Sequence, residues 1–91
     1  MARLAEQLKI DEGRVVEALQ AARERLDRVE GEMVLDFSSV RRIDPCALRA
    51  MEELADTADH QGVKLVLQDV NVAAYKVLKL VKLASRFCFA S

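Results

Sequence analysis

Between Asp11 and Val29 the apolar residues Val15, Val16, Leu19, Ala22, Leu26 and Val29 recur every three or four positions. That spacing lines them along one stripe of an amphipathic helix. Glu17, Arg23, Glu24, Arg25, Asp27 and Arg28 fill the other face, Asp11 is placed as the N-cap, and Gly31 marks the stop. In "EMVLDFSSV", Met33-Val34-Leu35 is a near-continuous apolar run that Phe37 extends, which predicts a strand covered on both faces. A second helix is predicted to begin at Asp44, with Pro45 at the first helical position, where its missing N–H costs nothing. Its stripe is Ala47, Leu48, Met51, Leu54, Ala55 and Ala58, and Gly62 after His60-Gln61 is the left-handed cap. "VKLVLQDV" reads as the clearest strand. Val63, Leu65 and Leu67 alternate with Lys64 and Gln68, and Val66 adds a second buried face. Asn71 caps a third helix carrying Ala74, Leu78, Leu80 and Val81, and "FCFAS" closes the chain as a short strand. The start of the chain is ambiguous. Leu4 and Leu8 fit a helix, Leu8 and Ile10 fit a short edge strand, and helix is the favoured reading. The order helix, strand, helix, strand, helix, short strand implies right-handed crossovers and a mainly parallel sheet.

Composition narrows the class. A chain of 91 residues is one small domain, residues 1–91, of a size that often gains from a partner or a second copy. With 52% hydrophobic and 32% charged residues it is globular rather than disordered. A net charge of −1 and 4% aromatic residues recommend neither phosphate binding nor base stacking, so no nucleic acid is expected. No apolar run approaches the roughly 20 residues of a membrane span. "MARLAEQLKIDEGR" lacks a signal-peptide core, and two distant cysteines fit a reduced, bacterial-type cytosol.

The most unusual local chemistry is Asp44-Pro45-Cys46-Ala47. A helix N-terminus favours a thiolate at Cys46, whereas the neighbouring Asp44 charge opposes it. The only histidine, His60, lies at the far end of the same helix, roughly 22 Å away for about 15 residues. No nucleophile–base pair is therefore expected, and Cys46 reads as a small, semi-buried residue at a helix start. Cys46 and Cys88 form no CxxC motif and have no neighbouring histidine, and neither GxGxxG nor GxxxxGK[ST] occurs. No cofactor, no metal and no enzymatic activity are expected. Lys76, Lys79, Lys82 and Arg86 lie loosely on one face of the last helix. They are either a solvated face or a basic patch for an acidic protein surface or lipid headgroups.

"VLDFSSVRRIDPCALRAMEELADTADHQGVKLVLQDVNVAAYKVLKLVKL" resembles a STAS domain, the module of anti-sigma-factor antagonists and of sulfate-transporter C-termini. Leu35-Asp36-Phe37-Ser38, Ile43-Asp44, Gly62 and "KLVLQDVN" carry the likeness, which spans roughly Val15 to Phe89. It implies an α/β, STAS-like fold: a small, mainly parallel or mixed sheet of about four strands packed against about three to four helices. Residues 1–10 look atypical beside the family, as if its N-terminal strand were shortened or replaced, which would leave a sheet edge open. In switchable members the second residue after the motif aspartate is a Ser or Thr that a kinase phosphorylates. Here that position is Cys46, flanked by Pro45 and Ala47, so the resemblance implies a member without the switch. "DVNVAAYKVLKLVKL" is also similar to the last helix of the small STAS subunit of phospholipid-trafficking ABC transporters.

These features lead to three expectations. The first is a cytoplasmic, protein-binding regulator resembling an anti-sigma-factor antagonist, fixed in an unphosphorylatable form and acting in regulation of transcription. Its expected contact surface is Ser38, Ser39, Val40, Arg41, Arg42, Asp44, Pro45, Cys46, Ala47 and Arg49. The second is a cytoplasmic STAS subunit that regulates a transporter ATPase. The third is a thiol-based redox or phosphocysteine carrier at Cys46. Membrane insertion is not expected, and a homodimer is compatible with all three.

Overall fold

Asp11 accepts a hydrogen bond on Oδ1 from Gly13 N at 3.0 Å, which fixes where the chain turns from its first strand into its first helix. The computed structural model describes residues 5–90. Strand β1 is Ala5–Lys9, followed by a 3-10 turn at Glu12–Arg14 and helix α1 at Val15–Arg25. A further 3-10 turn, Leu26–Arg28, leads to strand β2 at Glu32–Asp36 and helix α2 at Pro45–Gln61. Strand β3 is Lys64–Gln68, helix α3 is Val72–Leu80, and a 3-10 turn at Ala84–Arg86 precedes strand β4 at Cys88–Ala90.

The four strands lie in the order β1-β2-β3-β4, and every neighbouring pair is parallel. The register places Leu8 opposite Leu35, Leu35 opposite Leu67, and Leu67 opposite Phe89. Right-handed crossovers between successive parallel strands put the three helices on one face of the sheet. The core forms there from Met33, Leu35, Phe37, Leu65 and Leu67 of the sheet side against Leu19, Met51, Leu54 and Leu78 of the helices. The α/β class and the parallel sheet are as the alternation of elements predicts, while the count of four strands and three helices agrees with what the resemblance implies.

Four expectations need correction. The favoured helix at the start of the chain is strand β1, because Ala5–Lys9 pairs in parallel with β2 and Ile10 N, just beyond it, donates to Asp36 O at 2.9 Å. The remainder of that stretch, including Leu4, lies outside the described residues. The first helix stops at Arg25 rather than near Gly31. Leu26–Arg28 tightens into a 3-10 turn, and Val29 is extended with ψ 132° while still burying its side chain. Neither β2 nor β3 is covered on both faces. Val34 and Val66 are only half-buried, on the side of the sheet that no described helix covers. That open face is otherwise polar, with Gln7, Lys9, Lys64 and Cys88 exposed, and Gln7 Nε2 donates to Gln68 Oε1 at 3.3 Å. Lastly, Leu80 and Val81 do not join the core of α3 but face outward.

Candidate functional site

The segment from the end of β2 to the start of α2 is built on two buried anchors. Val40 and Ile43 insert into the core, which leaves Arg41 and Arg42 exposed between them. Before them, Ser38 N donates to Asp36 Oδ1 at 2.9 Å and Val40 N donates to Phe37 O at 2.9 Å, closing a tight turn over Ser38 and Ser39. The Ser38 backbone N–H, then its hydroxyl, hold the Asp36 carboxyl below its ordinary pKa. Partial burial opposes this weakly, and Lys9, opposite Asp36 in the β1–β2 register, adds to the lowering.

Asp44 then takes the extended conformation of an N-cap, and its Oδ1 accepts from Ala47 N at 2.8 Å. Its own carbonyl accepts from Leu48 N at 3.0 Å, which begins the helical ladder. Pro45 fills the first helical position and has no N–H to leave unpaired. At the other end Gly62, with φ 71°, terminates α2 in the left-handed conformation that glycine adopts without strain. The cap and stop that the sequence predicted for this helix are both present.

Asn71 ties this segment to the neighbouring helix. Its Oδ1 accepts from Ala74 N at 2.7 Å, capping α3. Its Nδ2 donates to Val40 O at 3.0 Å and to Arg41 O at 3.2 Å. One side chain therefore caps a helix and fastens the loop that carries the arginines. The sequence signals only the first role, because the second depends on chain segments 30 residues apart meeting in space.

The structure brings the ten candidate residues together at the ends of β2 and α2, but in different roles. Arg41, Arg42, Asp44, Pro45, Cys46, Arg49 and Ser38 are exposed, and Ser39 is half-buried. Val40 and Ala47 are buried, so they shape this surface from beneath. Cys46 is free and exposed, not semi-buried, because the second position of α2 points away from the stripe that carries Ala47 and Met51. Sequence reasoning also left out the other wall of this surface. A cleft of about 380 Å³ separates the starts of α1 and α2, lined by Glu12, Arg14 and Glu17 on one side and Arg42 and Asp44 on the other. The signal available for it was Asp11-Glu12-Gly13-Arg14, a polar turn preceding a helix.

Cys46 and His60 stand near opposite ends of α2. His60 Nδ1 lies 3.1 Å from Asp56 O near the far end of α2. Among the described residues no group of three His, Cys, Asp or Glu side chains is arranged to hold a metal, and both cysteines are free. No described helix is long and apolar enough to cross a membrane. The Lys76–Arg86 series is not one uniform basic face. Arg86 donates from Nη1 to Asp56 Oδ1 at 2.7 Å and from Nη2 to Asp59 Oδ2 at 2.6 Å, so α2 takes up its charge.

Solved structures share this architecture. A sulfate transporter family protein from Wolinella succinogenes superposes with a TM-score of 0.78 at 20% identity, over 98% of this chain and 80% of that one. The solution structure of the protein TM1081 gives a TM-score of 0.77 at 17% identity, over 98% and 75% of the two chains. A crystal structure of the TM1081 protein of Thermotoga maritima, described as a candidate anti-sigma factor antagonist, gives 0.65 at 19% identity, over 97% and 74%. At these identities the likeness is one of fold. A search of curated proteins returns no significant sequence match. The sequence profile of the STAS domain matches residues 4–91. With the strand–loop–helix motif in place and the profile covering nearly the whole chain, this chain belongs to the STAS domain family.

Proposed function

We propose that this chain is a cytoplasmic, non-enzymatic protein-binding regulator, a partner-switch component resembling an anti-sigma-factor antagonist, that lacks the phosphorylatable hydroxyl of switchable members. The observation that carries the reading is the start of α2. Asp44 caps it, and Arg41, Arg42, Cys46 and Arg49 stand exposed around a backbone whose conformation is fixed by Val40, Ile43 and Asn71. Three exposed arginines give the loop and helix start a positive surface, to which the helix dipole adds and which Asp44 offsets only in part. Such a surface suits an acidic face on a protein partner, steering encounter as well as fixing register.

Cys46 takes the place of the hydroxyl residue. A thiol is not a substrate for a Ser/Thr kinase, and Pro45 before it stands where the family motif has a second hydroxyl residue. Incubation of the purified chain with its cognate kinase and ATP should leave the mass of the Asp44–Ala47 peptide unchanged. Phosphate appearing on that peptide would sink the reading. The alternative role, regulation of a transporter ATPase, shares the binding chemistry. It is separated by which protein co-purifies with the chain: an anti-sigma-factor kinase under the first reading, an ATPase subunit under the second.

A further inference from the structure

Every large apolar side chain that is exposed among the described residues belongs to α3, its C-terminal cap or β4. Val72 is 69% exposed and Leu80 81%, with Val81, Tyr75 and Phe89 also open to solvent. Phe89 is on the core-facing side of β4, opposite Leu67 in the register, yet it remains 37% exposed. The reason lies in the topology. Each helix covers the seam between its two flanking strands, so α3 covers β3 and β4, and the outer flank of β4 is left bare among the described elements. Tyr75 and Phe89 meet edge to face there, with ring centroids 5.0 Å apart and planes at 82°. The ring pair forms a ridge between two open grooves. One, of about 310 Å³, is lined by Val70, Val72 and Ala90. The other, of about 480 Å³, is lined by Lys79, Lys82, Ala84 and Ser85.

Charge distinguishes this surface from a plain apolar patch. Lys76, Lys79 and Lys82 are exposed and make no ion pair among the described residues, whereas Arg86 nearby is held by Asp56 and Asp59. We infer that the α3–β4 flank is a second docking surface, separate from the Ser38–Arg49 loop, and that its occupant is an acidic amphipathic helix of a protein partner. A helix laid beside α3, itself nine residues long, would seat apolar side chains in the two grooves on either side of the Tyr75–Phe89 ridge. Acidic residues on its margin would face Lys79 and Lys82. A second copy of this chain is disfavoured, since neither groove is lined by an acidic side chain that could meet Lys79 and Lys82 of the partner copy. The inference does not depend on the loop reading, and either can fail alone.

The test is a displayed library of 18-residue peptides with apolar residues fixed at helical spacing and all other positions varied. It is selected on the full chain and counter-selected on the full-length Lys79→Glu variant, whose substitution lies on an exposed position and whose melting curve confirms folding. Enriched peptides should be acidic at the varied positions and should shift the amide resonances of Val72–Leu80 and Cys88–Ala90. Their affinity should fall about tenfold or more in Lys79→Glu and in Tyr75→Ala, the scale of a lost hot-spot contact. Enrichment of no peptide over the counter-selection would overturn the inference, as would peptides indifferent to charge. An equal loss of binding in Arg42→Ala would place the peptide on the loop and also overturn it. Two further outcomes would do the same. One is co-sedimentation with vesicles containing phosphatidylglycerol that is lost in Lys79→Glu. The other is concentration-dependent dimerisation that the same variant abolishes.

Discussion

Asp44 Oδ1 meets the Ala47 N–H at 2.8 Å, and Pro45 beside it has no N–H to satisfy. Both devices act on the first turn of α2, so the residue that sets the helix start also sets the shape of the arginine-bearing surface. Asp44→Ala should destabilise the chain by about 0.5–2 kcal/mol, the range for a lost cap, and Asp44→Asn by less, because the amide keeps an acceptor. Thermal melts of the two variants check this, and identical melting temperatures for both would remove the cap from the account. Cys46 carries a smaller expectation. It is exposed, so Cys46→Ala should change stability by about 0.5 kcal/mol or less, as for most surface substitutions. Asp36 adds a pH dependence. Its folded-state pKa lies below that of the unfolded chain, chiefly through the Ser38 backbone N–H. A depressed carboxyl contributes stability that is present above the unfolded value, near 4, and is lost as pH falls through the folded value. The stability advantage of the wild type over Asp36→Asn should therefore shrink on acidification below about pH 4. A gap that widens toward acid would contradict the assigned cause.

At the scale of elements, Asn71 couples α3 to the β2–α2 loop through one cap bond and two loop bonds. The two functions separate chemically. Asn71→Asp keeps an acceptor for Ala74 N but can no longer donate to the Val40 and Arg41 carbonyls. Hydrogen exchange should then accelerate in the loop while α3 stays protected, whereas Asn71→Ala should loosen both. Arg86 provides a second tie, holding the turn before β4 onto α2 through Asp56 and Asp59. Those carboxylates are largely exposed, so the melting-temperature loss in Arg86→Met should be small and should fade in 1 M salt. Legibility in the sequence followed these local signals. Helix α2 was readable at both ends because Asp44-Pro45 and Gly62 act within the chain segment they terminate. Helix α1 is shorter than its apolar stripe, because Val29 fits the helical spacing but serves as an extended lead into β2. The second role of Asn71 had no local signature at all.

For the whole molecule, the parallel order of the strands followed from the alternation of elements, but the one-sidedness of the sheet did not. Val34 and Val66 complete apolar runs that look like strands buried on both faces, yet they stand half-open in a row between Gln7 and Cys88. Strand β1 was illegible for a related reason. Leu8 and Ile10 are too few to separate a strand from a helix, and the pairing with β2 that decides the matter is tertiary. The candidate surface was legible as a stretch, Ser38 to Arg49, but not as a division between exposed arginines and the buried Val40 and Ala47, nor as one wall of a cleft shared with α1. The central claim is that this surface binds a protein partner through its exposed positive charge. Quantitative affinity purification from the native lysate, comparing wild type with Arg42→Glu, tests it most directly. The account predicts that one partner of the anti-sigma-factor kinase type is enriched by the wild type and lost in Arg42→Glu at unchanged melting temperature. Equal recovery of the same proteins by both chains, or enrichment of a thiol reductase alone, would contradict it.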